Sequence, residues 1–181
     1  MDSFKISEKN LKIVEKQMGR KMNNKIEVAS YCKYGYPVTI KNYPIINKKP
    51  FPTMYWLTCP YLNDEISKLE SKNYIEKIQE KIDENSEMLN ELKSAHEKEI
   101  KQRLEIIEKE IEKLPEPMQK TLKEKGIGGI SDFKYIKCLH LHYASYLSGN
   151  ENPIGKEVDK LLEKRYCDNC ICCDFEKQGM V

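Results

Sequence analysis

An α+β fold is what the sequence predicts: a small antiparallel sheet packed with helices, plus a long charged helical hairpin. Three observations carry that prediction. The first third alternates β-branched and aromatic runs with closely spaced prolines, the stretch from Tyr61 to Leu114 contains neither Gly nor Pro, and the last third carries helix-capping signals. Charge divides the chain in the same way. Residues 1–63 hold 11 basic and 4 acidic side chains, 64–125 hold 13 and 17, and 126–181 hold 7 and 8, while six of the eleven tyrosines fall in the first of these segments. The composition therefore changes near Pro60. The expected organisation is an N-terminal helix and sheet over 1–60, a charged helical arm over 61–125, C-terminal helices completing the core over 126–165, and a Cys-rich tail over 166–181.

Within the first third, Leu11, Val14 and Met18 recur at helical spacing after Ser7, a residue suited to an N-cap, and the pattern stops at Gly19. Strands are expected over 25–33, 38–41 and 54–58, separated by Gly35, Pro37, Pro44, Pro50 and Pro52. Prolines so close to the strands suggest edges and turns, so the sheet needs a helix to cover a face. In the charged segment, Ile75, Ile78, Ile82, Leu89 and Leu92 keep one stripe, and Ile100, Leu104, Ile107, Ile111 and Leu114 resume it on a shifted phase. Asp83-Glu84-Asn85-Ser86 offers capping chemistry in mid-run, which favours two or more helices over one rod. Pro115 and Pro117 end the arm, and a further short helix is expected up to Lys125. Gly126-Ile127-Gly128-Gly129 reads as a hinge or cap, Ser131-Asp132 as the cap of a helix over roughly 133–147, and Asn152-Pro153 as the start of a last helix.

The net charge is only +2 and hydrophobic residues make up 39% of the chain, so collagen-like, mucin-like and generally disordered readings fail. The apolar runs are a few residues long and Met1-Asp2-Ser3-Phe4-Lys5 lacks a signal-peptide core, so a cytoplasmic protein with no membrane span is expected. The basic first third with its interleaved tyrosines suits nucleic acid in principle, but no recognised binding motif accompanies it and the whole chain is nearly neutral, so nucleic acid is not the expected partner. The charged arm suits a protein partner through a coiled coil, but a solvated hairpin packed on its own domain is the plainer reading, and the short, interrupted stripe favours it.

Seven cysteines are the main chemical signal. In a reducing compartment they remain thiols, and soft thiolates with imidazoles bind zinc or iron–sulfur clusters. The candidates are Cys32, Cys59, Cys138, His140, His142, Cys167 and Cys170. Against this, Cys32, Cys59 and Cys138 are also what small buried hydrophobes look like. If Cys138 sits within a regular helix, His142 shares its face, whereas His140 is about 200° away and reaches the same metal only at a distorted turn. Cys167-Asp168-Asn169-Cys170-Ile171-Cys172-Cys173 contains a Cys-x-x-Cys pair, suited to donating two ligands to a site completed elsewhere. No residue pattern supports a catalytic assignment, so whether the chain is an enzyme stays open.

One block is specific. Pro50-Phe51-Pro52-Thr53-Met54-Tyr55-Trp56-Leu57-Thr58-Cys59-Pro60, together with Gly19-Arg20, Lys137-Cys138-Leu139-His140 and Asn152-Pro153-Ile154-Gly155, resembles the bacterial family catalogued as domain of unknown function 501. The resemblance runs in order from about residue 8 to 163. It implies a small bacterial cytosolic protein, and the family's gene neighbourhood, near a septum-formation initiator, implies a division-linked role. It also implies that Cys32, Cys59, Cys138 and His140 are the positions to watch, since each falls inside a family motif. Histidine in some relatives where this chain has Cys59 is an exchange that a metal site tolerates. The tail lies outside the resemblance.

Overall fold

The computed structural model describes residues 4–177. Helix α1 (Glu8–Met18) starts where expected, with the Ser7 hydroxyl accepting the Asn10 amide at 3.2 Å, and stops at Gly19, which adopts the left-handed φ of 65°. Strands β1 (Ile26–Tyr31), β2 (Pro37–Asn42) and β5 (Tyr55–Leu57) form an antiparallel sheet in the order β1-β2-β5. Thr39 pairs with Leu57 and Ile40 with Trp56. Between β2 and β5 lies a second, two-stranded ribbon of β3 (Ile45–Ile46) and β4 (Lys49–Pro50). Its turn residues Asn47 and Lys48 both have positive φ, as a two-residue hairpin turn requires. The period-2 pattern sends Ile40, Trp56 and Ile26 to one face, where Val14, Leu11 and Met18 of α1 cover them. The other face joins the main core. The sheet therefore has cover on both faces, more than its sequence demanded.

The charged segment forms helices α2 (Pro60–Ser71), α3 (Tyr74–Glu84), α4 (Ser86–Ile106) and α5 (Glu116–Glu124). The mid-run break is real. The Asn85 side chain accepts the amides of Glu87 and Met88, each at 3.0 Å, and so starts α4. Leu62, Ile66, Leu69, Ile78, Ile82 and Leu92 from these helices enter the main core together with the sheet. The phase shift of the stripe also has a cause. On α4 the buried positions after Leu92 and Ala95 are His96, Glu99 and Arg103, so the core face continues through polar residues while Ile100 and Leu104 line an open groove with Ile111 and Phe133.

Helices α6 (Leu139–Leu147) and α7 (Pro153–Leu161) close the fold, and a short α8 (Cys173–Lys177) follows. The expected helix over 133–147 begins only at Leu139. The reason is a competing set of partners for the backbone: Gln79 of α3 donates to the Lys134 carbonyl and accepts the Ile136 amide, both at 2.9 Å, which keeps this stretch out of the helix. The Gly126 loop is no hinge. It folds into a buried 3₁₀ turn in which the Ile127 amide donates to His96 Nδ1 at 2.9 Å, and a Cβ at Gly126 would stand 2.2 Å from that nitrogen. Asn152 caps α7 through the Gly155 amide at 2.7 Å. Among the described residues, no helix is long and apolar enough to cross a membrane.

Candidate metal centre

The late start of α6 makes Cys138 its N-cap residue, with extended backbone, rather than a position one turn inside it. This changes which histidine it meets. His140, in the first turn of α6, faces the last turn of α2, and the ligand atoms of Glu70, Cys138 and His140 all lie within 4.8 Å of one another. Glu70 Oε1 accepts the Leu139 amide at 2.7 Å and stands 3.1 Å from His140 Nδ1, so one carboxylate both caps α6 and addresses the imidazole. The other ring nitrogen, Nε2, is 3.2 Å from the Asn63 backbone carbonyl, which only accepts, so Nε2 carries hydrogen. Nδ1 then faces a carboxylate oxygen. That contact is attractive if Nδ1 is protonated, giving an ion pair, or if its lone pair shares a cation with Glu70.

All three side chains are half-buried. Burial raises the Cys138 thiol, the Glu70 charge adds to the rise, and the amides of Leu141 and His140 at the helix start pull the other way. The same contest operates at Cys59, which occupies the N-cap position of α2 ahead of Pro60. There burial dominates and pushes the thiol up to about 11, against the amides of Leu62 and Tyr61.

The predicted ligands thus fall into separate groups. Cys138 and His140 meet Glu70, near the C-terminal end of α2. Cys59 sits at the N-terminal end, about 16 Å away along the axis at 1.5 Å per residue. Cys32, in the turn after β1, packs against the main core containing Cys59 and also against a smaller cluster of Ile13, Tyr36 and Cys172. Cys167 is held nearby through its backbone, since the Tyr34 hydroxyl donates to the carbonyls of Cys167 and Asp168 at 3.2 and 2.8 Å. Cys170 is not a free ligand: it is disulfide-bonded to Cys173. Its left-handed φ of 41° and the Cys173 amide bound to its carbonyl at 2.8 Å bring the two Cα atoms to 5.4 Å, within disulfide reach. The pair that closes is therefore Cys170 and Cys173, and Cys167 keeps its thiol.

His142 belongs to neither group. It is fully buried, 5.7 Å from the His96 ring in an edge-to-face arrangement, and neither of its nitrogens meets a hydrogen-bond partner. Burial pulls its pKa down to about 3, and that of His96 to about 4, so both rings are neutral. Around them lies a polar layer that sequence reasoning missed. The Ser145 hydroxyl donates to Glu99 at 2.6 Å, Asn150 donates to Ser145 at 3.0 Å, and Arg103 donates to the Lys125 carbonyl. Burial raises Glu99 to about 7 and lowers Arg103 to about 10, with each charge partly offsetting the other's displacement. The signal was present as the gap in the α4 stripe. Glu70 was missed for a different reason: it is one acidic residue among many on a charged helix, and nothing local marks it.

No curated protein matches the chain, and no solved structure does. The sequence profile of a family described as a protein of unknown function, DUF501, matches residues 28–160, which span β1 through α7 and include Cys32, Cys59, Glu70, Cys138 and His140 while excluding the tail thiols. The chain therefore belongs to the DUF501 family.

Proposed function

We propose that the protein binds a divalent transition-metal ion, zinc by the chemistry of the donors, through Glu70, Cys138 and His140. The observation that carries this reading is the convergence of a carboxylate, a thiol and an imidazole from two helices within 4.8 Å. The 3.1 Å between His140 Nδ1 and Glu70 Oε1 is close to the roughly 3.3 Å edge expected between nitrogen and oxygen ligands each about 2.0 Å from a tetrahedral ion. With zinc–sulfur bonds of about 2.3 Å, the Cys138 sulfur has to approach by about 1.2 Å at most. The Asn63 carbonyl bound at Nε2 supplies the outer partner that metal-binding histidines use to fix their tautomer. Three protein ligands leave the fourth tetrahedral position to water or an exogenous ligand.

The test is elemental analysis of protein purified without chelator, with zinc affinity measured by competition. One zinc per chain is expected for the wild type, and Cys138→Ser and His140→Ala should each weaken binding by more than about 100-fold, beyond what loss of an outer partner costs. Glu70→Gln keeps an acceptor for the Leu139 amide while removing the charged ligand, so it separates metal binding from capping. Retention of zinc in all three variants would sink the assignment.

A further inference from the structure

An open groove of about 750 Å³ lies between α4, the 3₁₀ turn at Ile111–Lys113, α5 and the segment that carries Phe133. Ile100, Leu104, Ile111 and Phe133 give it an apolar lining. The cause is the polar layer behind it. Because His96, Glu99 and Arg103 occupy the core face of α4, Ile100 and Leu104 lie about 100° round the helix from that face and stay half-buried. Both walls are fixed from behind. The Phe133 ring stacks on buried His96, centroids 4.5 Å apart and 10° from parallel, and Gly126 permits that approach, since a Cβ there would stand 2.9 Å from the Phe133 ring. The α5 wall is tied by Arg103, which donates to the Lys125 carbonyl at the end of that helix. Walls fixed by buried contacts need little reorganisation to receive a partner.

The rim is acidic. Glu97, Glu105, Glu108, Glu112 and Glu124 stand against Lys101 and Lys123, five negative charges against two positive, a net of −3 on a chain whose total is +2. All seven are exposed. Among the described residues none of the five carboxylates is ion-paired, whereas Glu65 and Glu157 on other helical surfaces meet Lys68 and Lys160 at 2.7 Å. An apolar lining inside a ring of uncompensated negative charge selects its occupant by sign. This rim repels nucleic acid and anionic lipid surfaces, and a second copy of the same face would set glutamate against glutamate. A small molecule in so open a groove leaves more of its surface in water than ligands in enclosed pockets do. An extended peptide finds no free strand edge, because α4 and α5 bond their own backbone groups. A helix brings its backbone hydrogen bonds with it. We infer that this face docks a basic amphipathic helix of a protein partner, with apolar side chains at i, i+3 or i+4 and i+7 against the groove lining and flanking lysine or arginine against the glutamates. From Glu97 to Glu105 the α4 wall runs about 12 Å, so about two turns of the partner fit along it. The groove shares no residue with the Glu70 centre and does not depend on it.

The probe is a fluorescein-labelled peptide of about 14 leucines and lysines with the leucines on one helical face, titrated with the full-length chain and read by anisotropy. A Kd on the order of 10 µM is expected at low salt, weakening several-fold as ionic strength rises from about 0.05 to 0.2 M. Glu105→Lys/Glu108→Lys reverses two exposed charges of the rim and should weaken binding at least about tenfold. Glu80→Lys/Glu84→Lys makes the same change of net charge at exposed positions of α3 that do not line the groove, and should leave the Kd within about twofold. Ile100→Asp should weaken binding at least about tenfold through the lost apolar contact. Because Glu105 and Glu108 are exposed, their variant keeps the test independent of any loss of structure in Ile100→Asp. Peptides with glutamate in place of lysine, or serine in place of leucine, should fail to bind. Cys138→Ser/His140→Ala, which lacks the zinc ligands, should bind the peptide as the wild type does, so failure of one site is read separately from failure of the other. Equal weakening by the two charge-reversed pairs, or full binding in both Glu105→Lys/Glu108→Lys and Ile100→Asp, would overturn the docking site, as would a wild type that does not bind below about 1 mM. So would a dimer in sedimentation velocity that Ile100→Asp dissolves, which would put a second copy in the groove.

Discussion

The two ends of helix α2 use the same device in different surroundings. At each end a cysteine occupies the N-cap position of a helix, Cys59 before α2 and Cys138 before α6, with backbone amides facing its sulfur. Beside Cys138 stand a carboxylate and an imidazole, each already hydrogen-bonded to backbone, in half-buried surroundings. Beside Cys59 stand other thiols and apolar side chains. A helix start by itself favours thiolate. The difference teaches that the neighbours, more than the helix start, set each thiol's chemistry: hydrogen-bonding polar partners stand beside Cys138, and a buried, apolar setting surrounds Cys59.

Acid is expected to produce the largest effect, and it contrasts His140 with His142, two positions on. His140 has Glu70 and Asn63 as partners, whereas His142 and His96 are buried in the neutral form. Their folded values, about 3 and about 4, lie below the ordinary 6.5. They therefore contribute stability that is fully present above pH 6.5 and is lost as pH falls toward 4 and then 3. Glu99, raised to about 7, acts in the opposite sense between pH 4.5 and 7, and below that range Glu15, Glu157 and Asp168, held below their ordinary values by hydrogen bonds, add to the histidine effect. A loss of several kcal/mol is expected on acidification, since each pH unit between a group's folded and unfolded pKa corresponds to about 1.4 kcal/mol. Calorimetry from pH 7 to 3.5 should show it, with a shallower fall in His142→Leu. An unchanged slope in that variant would place acid sensitivity elsewhere.

Alkylation tests the dry end directly. With its thiol at about 11, Cys59 is thiolate in about one molecule per thousand at pH 8, against about a quarter for an ordinary thiol near 8.5. Iodoacetamide should label it roughly 200-fold more slowly in the folded chain than in urea. Equal rates, read by peptide mass spectrometry, would remove the contrast between the two ends of α2.

Glu70 has a structural duty apart from any metal. In chelator-treated protein, Glu70→Ala should cost about 1 kcal/mol through the lost Leu139 cap, while Glu70→Gln should cost a few tenths. Urea titration distinguishes them, and identical losses would mean that charge rather than capping matters. The smallest effect is expected from Tyr34→Phe. Removing the hydroxyl that ties the tail should cost about 0.5 kcal/mol and speed proteolysis beyond Tyr166, with the Glu70 end undisturbed.

Much of the frame was legible. Ser7 and Gly19 bound α1, the runs at 25–33, 38–41 and 54–58 became β1, β2 and β5, and Asn85 and Asn152 cap the helices that follow them. These are local effects, settled by hydrogen bonds a few residues apart. The α6 boundary was not legible, because Gln79 and Glu70, distant in sequence, hold the backbone amides and carbonyl ahead of it. The same error favoured His142 over His140 as the neighbour of Cys138, since one helical turn was assumed where the chain is extended.

By itself, then, the sequence determined the α+β class, the order of elements, the family to which residues 28–160 belong, and the residue types available for metal chemistry. Only the tertiary structure decided which donors meet. It set Glu70 against His140, 70 positions away, and brought Cys167 beside Tyr34, 133 positions away. Capping and periodicity are written in neighbouring residues, whereas the meeting of distant donors depends on how whole faces bury their apolar surface, and no short pattern encodes that.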